Sequence, residues 1–143
     1  MIKVTLVQSA KPSVDLAWLK QLAAQVLKKE QVKQGELAIV LVEAKQAQEL
    51  NMQYRGQDYI PGVLAFKANG LAAEQDLGQV VLCLAALRKS AKQQTNALAD
   101  ELALNLIHGV LHLLDYNHDL VTDADVMEAK EERYLRDWLN AAK

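Results

Sequence analysis

The sequence predicts an α+β domain, a small mixed four-stranded sheet covered by about five helices. Two observations predict it: β-type segments are confined to the first 84 residues, and a run of helix-type segments follows them. A length of 143 residues, 51% hydrophobic and 24% charged, suits one ordinary domain over 1–143 with a single core.

Residues 2–8 alternate polar and apolar side chains like a strand. Past Pro12, Ser13 is a good N-cap for a helix to about Lys29, with Leu16, Leu19, Ala23, Val26 and Leu27 as its apolar stripe. Residues 37–42 read as a second strand, and 44–54 as a helix containing Ala47, Leu50 and Met52. A turn at 57–62 precedes short strands at 63–67 and 80–84, joined by a Gly- and Ala-containing connection. Residues 85–94 predict a short helix. Thr95 and Asn96 then cap a long one reaching Leu114, with Asp100 and Glu101 favourably placed near its positive end. The last helix starts at Thr122, whose spacing to Asp125 is that of a capping box, and runs through Trp138.

The N-terminus lacks the apolar core of a signal peptide, and polar residues interrupt the longest apolar stretch, so the expectation is a cytoplasmic protein without a membrane span. The single cysteine, Cys83, lies in an apolar run and is expected to be buried and inert. A net charge of −2 gives no global attraction to phosphates; RNA contact would need a local patch such as Arg55, Lys67 or the cluster Arg88, Lys89 and Lys92.

The long helix is apolar almost all round, which marks it as the buried centre of the fold. Its polar residues Glu101, Asn105, His108, His112 and Asp115 are spaced by four, three, four and three, and so form one seam along one face. His108 and His112 stand one turn apart, as two ligands of a tetrahedral ion do. A stop at Asp115 to Asn117, residues that tolerate the left-handed conformation, would bring His118 back as a third. Three imidazoles leave an open coordination position, the mark of a catalytic zinc site. The plainer alternative, three separate core histidines, has to accept that all three histidines of the chain fall within residues 105–119 by chance. Glu101, Asn105 and Asp115 are candidates to orient the imidazoles. A metalloprotease would carry Glu directly after the first histidine, where this chain has Gly109.

From His108 to His118 the chain, reading HGVLHLLDYNH, resembles the YbeY family of bacterial rRNA maturation factors. The resemblance extends through residues 36–42, 50–56, 63–66 and 77–81 in the same order. It implies a zincin-like fold and a metal-dependent, single-strand-specific endoribonuclease acting in rRNA maturation and ribosome quality control. It also implies His108, His112 and His118 as ligands of one divalent ion, zinc by expectation, Arg55 as the site arginine, and single-stranded rRNA and the ribosome as partners. Four departures stand out: Pro61-Gly62 where the family has Thr-Asp, Asp115 and Asn117 where it has Gly and Asp flanking the tyrosine, and Gln79 where it favours Asp. They imply weakened cleavage, and leave open a ribosome-associated RNA-binding module that keeps the metal as a structural element.

Overall fold

The computed structural model describes residues 2–8, 15–68, 76–116 and 121–141. Its elements run β1 (Ile2–Gln8), α1 (Trp18–Lys29), β2 (Gly35–Val42), α2 (Ala44–Arg55), β3 (Val63–Phe66), β4 (Asp76–Cys83), α3 (Leu84–Gln94), α4 (Leu98–Leu113) and α5 (Val121–Ala141). The sheet order is β1-β2-β4-β3. β1 and β4 both pair parallel to β2, and β3 pairs antiparallel to β4, which gives the predicted mixed four-stranded sheet with five helices.

Side chains alternate across a strand, so the central strands β2 and β4 feed two cores. Leu37, Ile39, Leu41, Val80 and Leu82 face the larger core, shared with α1, α4 and the buried residues Met127 and Tyr134 of α5. Val42, Val81 and Cys83 face a smaller core closed by Leu64 and by Ala47 of α2. Cys83 is buried, as expected.

The starts of two helices differ from expectation. The first helix begins at Trp18, not near Ser13, which lies outside the described residues; its start is shaped by Asp15, whose carboxylate accepts the Ala17 amide at 2.9 Å. In α2 the inward positions are Ala47 and Asn51, four apart, so Met52 turns outward and is 55% exposed. Asn51 faces inward because its Nδ2 donates to the Tyr59 carbonyl at 3.2 Å, holding the turn that follows α2. Thr95 does not cap α4: it ends α3 in the left-handed conformation, φ 57°, and the N-cap of α4 is Ala97. The predicted start of the last helix at Thr122 agrees within a residue with α5, and its end extends to Ala141.

Two glycines fix how close the layers come. Gly78 has φ +118° at a register shift between β2 and β4, and a Cβ there would fall onto the Phe66 carbonyl oxygen. Gly109 is buried in α4, and a Cβ there would stand 2.6 Å from Val80 Cγ1 and 3.3 Å from Val63 Cγ2. The missing side chain lets α4 settle directly onto β3 and β4. Among the described residues no helix is long and apolar enough to cross a membrane.

Candidate metal centre

Helix α4 buries the aliphatic residues Leu102, Leu106, Ile107, Val110, Leu111 and Leu113 and leaves Asn105, His108 and His112 of its polar seam half-covered. The members of that seam separate into different tasks. Glu101, 4% exposed, receives Asn96 Nδ2 at 3.0 Å and Ser90 Oγ at 3.3 Å, tying the start of α4 to α3. Asn105 donates back to the Glu101 carbonyl at 2.8 Å. Asp115, past the helix end, pairs with Lys67. The four contacts described for Glu101, Asn105 and Asp115 are made to neighbouring structural groups and none to an imidazole.

His108 and His112 do converge. Their Nε2 atoms stand 3.0 Å apart, with ring centroids at 4.5 Å and planes at 77°. Two Zn–N bonds of ordinary length at a tetrahedral angle put their nitrogens about 3.3 Å apart, so the pair lies within a few tenths of an ångström of a shared-ion geometry. On the far side of the His108 ring, Nδ1 lies 2.5 Å from Glu131 Oε1 of α5. A carboxylate only accepts, so a hydrogen bond here requires the proton on Nδ1, an arrangement that in a neutral ring turns the Nε2 lone pair toward His112. The residues present thus fit a divalent ion. His118 lies outside the described residues, and among those described no cluster of three potential ligands forms.

Glu131 escaped the sequence reading because it is 23 residues from His108 on a charged helix. The available signal was its register: Met127, Glu131 and Tyr134 follow the i, i+4, i+7 stripe that α5 turns inward, and Met127 and Tyr134 are buried. A carboxylate on an apolar stripe calls for a partner.

Just before α5 begins, Tyr116 is anchored to the end of α1. Glu30 accepts Tyr116 Oη at 2.6 Å, Lys130 Nζ at 2.8 Å and Tyr134 Oη. Burial raises the Glu30 pKa, but the bonds from Lys130, Tyr116 and Tyr134 outweigh it and hold the carboxyl below its ordinary 4.5. Burial, followed by the bond to Glu30, pushes the Tyr134 hydroxyl up to about 12.

Arg55 sits elsewhere. It is the last residue of α2, exposed, and followed by Gly56 at φ 67°, where the Gly56 amide closes the helix on the Met52 carbonyl and the Gln57 amide on that of Asn51. It lines a groove of about 660 Å³ on the α2 face of the sheet, with Tyr54, Phe66, Lys67 and Gln79, and neither His108 nor His112 is in that lining. The Tyr54 and Phe66 rings meet at 5.0 Å. Groove and histidines are linked by Lys67, which lines the first and pairs with Asp115, three residues beyond His112. The cluster Arg88, Lys89 and Lys92 lies on α3, outside that lining.

The family profile described as endoribonuclease YbeY matches residues 6–139. This chain belongs to the YbeY family. Among YbeY relatives, it is 37% identical over 102 residues to the endoribonuclease YbeY of Thiobacillus denitrificans, covering 71% of this chain and 69% of the relative. It is 41% identical over 106 residues to that of Halorhodospira halophila, with the same coverages. The solution structure of TM1509 from Thermotoga maritima superposes with a TM-score of 0.67 at 28% identity, covering 99% of this chain and 93% of the other. Against the YbeY pattern, Asp115 holds the place of a glycine and has the backbone a glycine favours, φ 75°. The expected helix stop is thus found at that residue.

Proposed function

We propose that this chain is a cytoplasmic, metal-dependent, single-strand-specific endoribonuclease acting in rRNA maturation and ribosome quality control, with a divalent ion, zinc on donor chemistry, at His108, His112 and His118. The observation that carries the reading is the 3.0 Å convergence of two imidazole Nε2 atoms with a carboxylate on the opposite nitrogen of one ring. A bound divalent ion supplies a Lewis acid and a source of hydroxide near neutral pH.

The chain's own residues bind and orient the RNA. Arg55 offers a planar fork to a phosphate, and Tyr54, 61% exposed beside it, offers a face on which an unpaired base stacks. A base held in a duplex has no free face, which supports the preference for single strands. Gly62 supports weakened rather than abolished cleavage. A Cβ there would stand 2.8 Å from Leu87 Cδ2 and about 4.0 Å from Asn105 Oδ1, one turn before His108, so the family's aspartate at this position would bring a carboxylate beside the seam once Leu87 gives way.

Purified protein incubated with single- and double-stranded RNA, with and without a chelator, tests the proposal. Single strands should be cut, and chelation should stop the reaction. Arg55→Ala should keep fold and metal while losing cleavage on the order of ten- to a thousandfold. RNA bound but never cut under any metal condition would favour the ribosome-associated binding module, and cleavage unaffected by chelation would remove the metal.

A further inference from the structure

We infer that Glu131 is the positioning residue of the histidine pair: its carboxylate locks His108 as the Nδ1–H tautomer and aims the Nε2 lone pair at the point where the two imidazoles converge. The inference rests on the metal reading above and adds to it a residue from a different helix.

The geometry carries three parts of the argument. The 2.5 Å contact engages Nδ1, so the only lone pair left on a neutral His108 ring is the one facing His112. The Glu131 side chain is 16% exposed and that of His108 28%, so the bond is shielded from much of the competing water. Glu131 is also held by its helix. On either side of it along the inward stripe, Met127 is buried and Tyr134 is tied to Glu30, while farther along Trp138 stacks on Trp18 of α1 at 5.9 Å.

The same geometry excludes Glu131 as a base acting at the cation. It lies at the Nδ1 side of the ring, whereas the converging atoms are at the Nε2 side. Its effect passes through the imidazole, by fixing which nitrogen is protonated and by making the other more basic. Glu128, on the same small cavity wall as His108 and Glu131, has an exposed side chain and serves as a matched control.

Two measurements on the full chain decide it. In metal-free protein, 15N NMR of the imidazoles should show His108 protonated on Nδ1 in the wild type. Titration with Co2+ followed by its visible absorption should show binding weakened by about 10- to 100-fold in both Glu131→Gln and Glu131→Ala, with unchanged circular dichroism, and wild-type affinity in Glu128→Gln. Should the alanine variant fail to fold, the near-isosteric glutamine variant carries the comparison. A wild-type His108 protonated on Nε2 alone, or Glu131 variants that bind Co2+ like the wild type, would overturn the inference. Wild-type protein that takes up no cobalt would instead overturn the metal reading, and the tautomer measurement would still decide the Glu131 contact.

Discussion

Adding a side chain at Gly109 places one on the contact between α4 and the sheet, and it tests why the metalloprotease arrangement is closed to this fold. A Cβ at this position would lie 2.6 and 3.2 Å from the two methyls of Val80 and 3.3 Å from Val63 Cγ2. Ordinary carbon contacts need about 3.5–4.0 Å, so the shorter overlap approaches 1 Å. Val80 is fully buried on a central strand and has a stiff χ1, so it cannot turn aside. Overpacking costs about 1–3 kcal/mol, and an overlap near 1 Å on a rigid neighbour belongs to the upper half of that range, about 2–3 kcal/mol, against which replacing a mid-helix glycine by alanine gains about 1 kcal/mol. Gly109→Ala should therefore lose about 1–2 kcal/mol. At about 4 °C per kcal/mol for a chain of this size, Tm should fall by roughly 4–8 °C. Gly109→Glu adds a buried carboxylate and should not fold, because that cost approaches the whole stability of an ordinary domain. Thermal melts and urea titrations of both variants check this, and Val80→Ala combined with Gly109→Ala should be less damaging than the two single losses summed. A Gly109→Ala variant as stable as the wild type, or a folded Gly109→Glu, would refute the steric account of why no glutamate follows His108.

Glu30→Gln should cost about 1–3 kcal/mol through weakened bonds to a buried charge. Because the folded Glu30 pKa is lowered, its contribution is present above its ordinary value of 4.5 and fades as pH falls through the folded value, so urea titrations of the variant should show less loss of stability on acidification. Asp115→Gly should raise Tm slightly, since relief of the left-handed backbone exceeds the loss of an exposed ion pair worth about 0–1 kcal/mol; an unchanged or lower Tm would show the pair to matter more. Cys83→Ser should lower stability by about 1–3 kcal/mol by placing a hydroxyl in the small core, while RNA cleavage by the folded fraction stays intact.

How far the sequence could be read depended on the range of the interactions. The pairing of His108 with His112 was legible because four residues make one helical turn, and the apolar stripe of α1 was read almost completely, with Leu22 as the addition. Glu131 and Glu30 were not legible, because their partners lie 23 and 86 to 104 residues away and only packing brings them together. The caps differ from the pattern for a related reason. Asn96 looks like a cap, but its side chain is committed to Glu101, and Thr95 serves the preceding helix instead. The seam on α4 is one face, yet one face does not mean one task.

The stacking of Trp18 on Trp138 has an optical consequence. These are the chain's two tryptophans, and both sit in this one contact, 5.9 Å between ring centres and 22° between planes. Indole emission therefore reports a single event, the seating of α5 against α1, without background from any other site. Because α5 also carries Glu131, a change in tryptophan fluorescence upon metal addition or RNA binding would signal movement of the helix that braces His108, in unlabelled protein and on the stopped-flow timescale.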